Sequence, residues 1–366
     1  MGSLKRPRVK IEVEIETVSK YFKQEQKDGL VKRENEHGLG IQDVDIDSIK
    51  RMGAREYFKY INRFTKDDIS GEKLKIEDNP NIPANFIPIY SQVRLMRSLI
   101  KTPVDSVGCA MLPITINSTF GIEQEKMKPK NYRLQLLISL MLSSQTKDET
   151  NAKAMHNLME YCIEELGDPE GITLDALLKC DEKNLDNEIH SVGFHTRKAS
   201  YIKKAAVMLR DQFDGDVPTT IEGFISLPGV GPKMGYLALQ KSWAKIDGIG
   251  VDVHVDRLAK MWGWVDSKLC KTPEHTRKQL ETWLPKSLWY EINPVLVGFG
   301  QVLCMPRGKK CNLCLVKDIC PGVDKKLLKR IKETQLDDDP VKDSIRGDYS
   351  ELVLFLKEQK KQSKEE

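Results

Sequence analysis

Four cysteines stand close together in this chain of 366 residues, Cys304, Cys311, Cys314 and Cys320, with six, two and five residues between them. The other four, Cys109, Cys162, Cys180 and Cys270, are scattered singly. The long, charged chain begins without an apolar secretory signal, which points to a reducing compartment, where clustered thiols hold metal more often than they pair. Zinc ribbons use two separated C-x-x-C pairs. A single pair with an outlying thiol on either side suits a compact four-thiolate iron cluster at least as well, so chemistry alone leaves the metal open. The loop between Cys304 and Cys311 carries Arg307, Lys309 and Lys310. Pinned at both ends, it is either a grip for phosphate or a solvated loop.

A second group lies upstream. Leu227-Pro228-Gly229-Val230-Gly231-Pro232-Lys233 sets two glycines around one apolar residue, the spacing of a helix-hairpin-helix. Val230 is expected to pack inward, while Gly229 and Gly231 let the backbone turn tightly and approach a surface. Pro232 suits the first position of the following helix, whose open amides form an anion site fit for a phosphate. Lys233 then falls in the first turn. There the positive end of the helix dipole disfavours an ammonium, and partial burial would disfavour it further, as a nucleophilic amine requires. The alternative is a solvated lysine that contacts phosphate. Asp252, in Gly250-Val251-Asp252-Val253-His254, precedes another helical run and reads as its N-cap. A carboxylate near a nucleophilic lysine also accepts a proton or stabilises a sugar cation.

Helices must position these groups. Leu134, Leu137, Ile138, Met141 and Leu142 recur at helical spacing, as do Ala152, Met155, Leu158, Met159 and Cys162, and later Ile202, Ala205, Ala206 and Leu209. Short breaks at Gly167-Asp168-Pro169 and Gly215-Asp216-Val217-Pro218 leave little room for a sheet, so the class is all-α. On either side lie charged extensions. The first eighty residues carry 17 basic and 16 acidic side chains, and residues 324–366 carry 11 of each. Both read as mostly flexible, apart from an apolar periodicity from Tyr57 to Phe64 and an amphipathic stretch around Leu352 to Leu356.

The longest apolar run, Leu136 to Leu142, is interrupted by Ser139 and is far shorter than the ~20 residues of a spanning helix, so no membrane segment is expected. The net charge of +4 is mild but uneven. Residues 225–320 carry 14 Lys and Arg against 8 Asp and Glu, a local +6 that leaves −2 for the rest, so an anionic partner would meet this third of the chain. Lys5-Arg6-Pro7-Arg8 is similar to a short nuclear import signal.

Three motifs in order, the hairpin with Lys233, the helix start at Asp252 and the cysteine intervals, resemble those of the endonuclease III family of DNA repair glycosylases. The likeness extends through Leu140-Met141-Leu142-Ser143-Ser144-Gln145-Thr146-Lys147-Asp148 and Val192-Gly193-Phe194-His195-Thr196-Arg197-Lys198-Ala199. The resemblance implies a two-domain helix-hairpin-helix fold, with a six-helix barrel domain at 130–243. A cluster domain is implied at 86–129 and 244–323, with extensions at 1–85 and 324–366. It further implies that the four cysteines hold a [4Fe-4S] cluster, that Lys233 is the nucleophile and Asp252 the essential carboxylate, and that Gln145 fills the gap left by an extruded nucleotide. The implied enzyme is a monomeric, bifunctional DNA N-glycosylase and AP lyase of base excision repair. It acts on double-stranded DNA carrying oxidised pyrimidines or abasic sites, in the nucleus, with the mitochondrion as a second address. A monofunctional glycosylase and a non-catalytic DNA-binding protein with a structural metal knot are the alternatives. The latter would need neither Lys233 nor Asp252.

Overall fold

The computed structural model describes residues 45–62, 74, 76, 79–330, 342–343 and 347–365. The Lys5 to Arg8 run lies outside them. The first helices are α1 (Ile46–Arg51), α2 (Ala54–Ile61), α3 (Phe86–Ser98), α4 (Pro103–Ser106) and α5 (Leu112–Thr119). Next come α6 (Pro129–Ser143), α7 (Asp148–Glu164), α8 (Leu174–Lys179), α9 (Glu182–Glu188), α10 (His195–Gln212), α11 (Ile221–Ser226) and α12 (Pro232–Trp243). The remainder are α13 (Val253–Met261), α14 (Pro273–Glu281), α15 (Ile292–Val302), α16 (Lys325–Arg330) and α17 (Ser350–Glu365). A two-residue antiparallel ladder pairs β1 (Lys342–Asp343) with β2 (Gly347–Asp348). The all-α reading holds. Among the described residues no helix is long and apolar enough to cross a membrane.

Two cores organise these helices. In the first, α6 is buried on nearly every side from Tyr132 to Leu142, as a central helix must be, and α12 packs along it. Thr173, Asp181 and Thr220 start α8, α9 and α11 by accepting hydrogen bonds from the amides of Ala176, Asn184 and Gly223. Arg133 on α6 forms a buried ion pair with Asp216, and its guanidinium lies 4.3 Å from the ring centroid of Trp243 on α12. This ties the central helix to the segment that leads into the hairpin. The second core gathers α3, α13, α14 and α15 around Phe86, Tyr90, Trp264 and Trp283, whose rings meet mostly edge to face. Buried Glu291 accepts from the Tyr90 hydroxyl at 2.8 Å and pairs with Arg94.

The expected boundaries need three corrections. Residues 46–61 are folded, since Ile49, Tyr57, Phe58 and Ile61 enter the first core and the Tyr57 hydroxyl donates to the Ser242 carbonyl at 2.8 Å. Leu112, Ile116 and Met127 also belong to that core, so the 86–129 stretch is shared between the two cores instead of joining the cluster side whole. At the other end Tyr349, Leu352 and Val353 are buried in the second core, and Lys101 and Asp348 exchange backbone hydrogen bonds. In the two terminal stretches apolar side chains are sparse among many charges, so composition gave their packing too little weight. The rest of the extension residues up to 78, apart from Leu74 and Ile76, which pack on the second core, lie outside the described residues.

Candidate active site

The helix-hairpin-helix forms as its spacing predicts. Leu227 and Val230 are buried, and Gly229 adopts φ +79° with the ring of Tyr201 so close that a Cβ would meet Cδ2 at 2.5 Å. Glycine is thus required there both by conformation and by space. Gly231 is different: its φ is −98° and a Cβ would meet nothing within 4 Å. It is the N-cap of α12 and offers no side chain to the first-turn amides, which stay open to an outside anion. Pro232 occupies the first turn, and Lys233 follows it. Lys233 is exposed, not sunk in a pocket, and among the described residues its ammonium has no hydrogen-bond or ion-pair partner.

Asp252 is the N-cap of α13 and is only 8% exposed. Both amide bonds, from His254 at 2.9 Å and Val255 at 2.8 Å, go to one oxygen, Oδ1. Oδ2 receives no hydrogen bond from a described residue. The cap therefore uses one oxygen of the carboxylate and leaves the other outside it. The carboxylate and Lys233 act on the same neighbours. Burial lowers the His254 imidazole below its ordinary 6.5, with Asp252 opposing and Arg257 and Lys233 adding to the fall. Burial raises the Asp148 carboxyl, with Lys233 opposing and Asp252 reinforcing. Asp148 stands in the first turn of α7 and accepts from Gln301 Nε2 of α15 at 3.1 Å, while Gln301 Oε1 accepts from the Val104 amide at 3.1 Å. The two cores thus meet through Asp148 and Gln301, and Lys233, Asp252, Asp148 and the His254 imidazole interact electrostatically at this junction.

Gln145 is exposed in the turn between α6 and α7 with a left-handed φ of 52°, unusual outside glycine. Phe194, before α10, also has a left-handed φ, 58°, and is 58% exposed. The two turns touch: a Cβ on Gly193 would sit 3.3 Å from the Gln145 carbonyl.

The four clustered cysteines line one common pocket together with Met261, Trp262, Phe299 and Leu303. Cys304 and Cys311 are buried and the other two half-buried. Burial pushes the Cys314 thiol up to about 12, with Cys304, Cys320 and Cys311 adding to it, so these sulfurs sense one another. Among the described residues no three ligand side chains converge as they would on a single ion. Thiols set around a common space fit a polynuclear group, which takes one thiolate per iron. Donors also face the sulfurs: the Asp324 amide reaches Cys311 Sγ at 3.4 Å, and Arg257 Nη1 lies 3.9 Å from Cys304 Sγ while its Nη2 donates to the Cys304 carbonyl at 2.6 Å. Such donors favour thiolate over thiol.

The cations of the cysteine loop divide unevenly. Arg307 is exposed beside Gly308, whose φ is +77°. Lys309 instead turns inward, donating to the Gly322 carbonyl at 2.8 Å, and Lys310 donates to the Tyr349 hydroxyl at 3.3 Å. Of the three cations expected to grip phosphate, Arg307 is thus the exposed one, while the two half-buried lysines also fasten the loop from within.

With this geometry in hand, comparison with known proteins is decisive. A family model described as HhH-GPD superfamily base excision DNA repair protein matches residues 138–286. Endonuclease III homolog 2 of Saccharomyces cerevisiae is 51% identical over 359 residues, covering 95% of this chain and 94% of the relative. This chain belongs to the endonuclease III family. The mouse endonuclease III-like protein 1 is 41% identical over 66% of this chain and 73% of its own length. A solved non-covalent endonuclease III-DNA complex aligns with 54% of this chain and 86% of that one, at 26% identity and a TM-score of 0.47.

As a member of the endonuclease III family, the chain is a base excision repair DNA glycosylase. Sequence reasoning singled out Lys233, Asp252 and the cysteines but assigned no role to Asp148, Phe194 or Lys198. The signal for Asp148 was available: an acid opening a helix that follows Gln145. Nothing local marks Phe194, since its exposure depends on the left-handed backbone before α10.

Proposed function

We propose that the chain is a bifunctional DNA N-glycosylase and AP lyase that removes oxidised pyrimidines from duplex DNA. The observation that carries this reading is the state of Asp252: Oδ1 caps α13, Oδ2 receives no hydrogen bond from a described residue, and the carboxylate shares His254 and Asp148 as electrostatic neighbours with the unpartnered ammonium of Lys233. A damaged pyrimidine stacks and pairs poorly, so extruding it from the helix costs little. Gln145 would fill the space it leaves, with exposed Phe194 beside it. Open amides at the start of α12 and the Arg307 guanidinium would hold phosphates on either side.

Lys233, once deprotonated, attacks C1′ as the bond from C1′ to the base breaks, and the base leaves with a proton. Asp252 Oδ2 stabilises the positive charge that develops on the sugar, or takes the proton from the lysine. Ring opening gives an imine between Lys233 and C1′. That imine makes a C2′ proton acidic, its loss expels the 3′ phosphate by β-elimination, and hydrolysis of the imine frees Lys233. The strand is nicked.

The proposal includes a [4Fe-4S] cluster on Cys304, Cys311, Cys314 and Cys320, supported by the common pocket and the N–H donors toward sulfur. When bound, it supplies cross-linking of residues 304–320 and no step of the reaction. The purified protein is then expected to be brown, with about four irons per chain. Monomeric action in the nucleus completes the reading.

Borohydride reduction on a duplex with an oxidised pyrimidine tests the mechanism. Covalent trapping by the natural chain and none by Lys233→Gln, with affinity for damaged DNA retained, is the expected result. Base release without trapping or nicking would instead identify a monofunctional glycosylase.

A further inference from the structure

Lys198, at the end of the first turn of α10, is 6% exposed, and no step of the reaction uses it. Its ammonium nevertheless donates three hydrogen bonds, to the Leu142 carbonyl at 2.6 Å, the Ser144 carbonyl at 2.7 Å and Thr146 Oγ1 at 3.0 Å. These acceptors bracket Gln145. Leu142 lies in the last turn of α6, where carbonyls lack intrahelical donors and a cation is favoured by the helix dipole. Thr146 is fixed further by bonds from its amide to the Ser143 carbonyl at 3.1 Å and from its hydroxyl to the Ser144 carbonyl at 3.2 Å.

The residue so enclosed is held where side chains resist being held. A left-handed backbone is disfavoured at a non-glycine residue and persists only when its surroundings over-determine it. At Gln145 those surroundings are the three acceptors gathered by Lys198 and the close backbone of Gly193, just before Phe194. Burial draws the Lys198 amine down to about 8, so it remains an ammonium at neutral pH and all three protons are present to donate. Lys203 provides the contrast. It gathers the carbonyls of Leu177, Leu178 and Cys180 at the end of α8 in the same way, yet no left-handed residue follows there.

We propose that Lys198 is a positioning residue for lesion extrusion: it locks the α6–α7 turn so that Gln145 is presented, already ordered, to the gap in the duplex. The inference rests on the gap-filling reading of Gln145 above, and it adds the buried cation through which that residue acts. An ordered finger loses less conformational freedom on entering DNA than a mobile one, which favours the extruded state.

The test is a double-mutant cycle on single-turnover excision of an oxidised pyrimidine, with thermal unfolding and iron content followed in parallel. Lys198→Met keeps the apolar stem and removes the donors. It is expected to lower the excision rate about tenfold, the scale of one lost charge-assisted hydrogen bond, and to lower it little further in a Gln145→Ala background. Thr146→Val deletes one acceptor, preserves the turn's bulk and is expected to give a smaller loss with the same non-additivity, so the cycle can be closed even if Lys198→Met folds poorly. Lys203→Met is expected to lower the melting temperature without changing excision. Additive losses for Lys198→Met or Thr146→Val with Gln145→Ala would overturn the positioning role while leaving gap filling intact. Full activity in Gln145→Ala itself would overturn both.

Discussion

Lys310 and Tyr349 are 39 residues apart in sequence and are stacked, with the ammonium 4.7 Å from the ring centroid and 3.3 Å from the phenol oxygen. The lysine belongs to the loop between the first two clustered cysteines, and the tyrosine opens the C-terminal helix α17. The chain's end thereby fastens the cysteine loop.

Tyr349→Ala should therefore destabilise the protein by about 3 kcal/mol, the scale of a large buried ring replaced by a methyl group. Calorimetric melting would register it. An unchanged melting temperature would mean that the end of the chain is an ornament.

Trimming the N-terminus should divide at residue 45. Removal of residues 1–62 should lower stability steeply, because it strips Ile49, Tyr57, Phe58 and Ile61 from the first core. Equal melting temperatures for the natural chain and the variant lacking residues 1–62 would refute the packing of α1 and α2.

Asp252→Asn separates the two oxygens. Asparagine is also a good N-cap, so the melting temperature should change by only a degree or two, whereas single-turnover excision should fall by about 10²-fold or more as the charge is lost. Loss of folding and activity in proportion would reduce Asp252 to a cap.

Arg307→Ala should weaken binding to damaged and undamaged duplexes alike and reduce the salt dependence by about one phosphate contact. Replacing Lys309 and Lys310 together by Met should act elsewhere, lowering the melting temperature and leaving the salt slope in place. A flattened slope in the lysine variant would put these side chains back on DNA.

Legibility followed the range of the forces involved. Helices such as α6 and α7, the hairpin turn at Gly229 and the cap at Asp252 are set by neighbours a few residues away, so spacing alone marked them. The inward turn of Lys309 and Lys310 was hidden, since their partners Gly322 and Tyr349 are fixed only by tertiary packing. Lys198 was hidden for the same reason: what distinguishes it is a set of bonds to a distant segment, the end of α6 and the turn after it. The charged extensions misled because burial there depends on a few apolar side chains among many ionic ones.

The second core draws on residues 86–100, on 249–316 and on Tyr349, Leu352 and Val353, whereas the first is complete by Trp243. During synthesis the two therefore mature at different times. The hairpin core can close while the ribosome is still adding the cysteine segment, since domains fold as units in order of emergence. The other half must wait for Tyr349, Leu352 and Val353, so the four thiols emerge before the segment that fastens their loop.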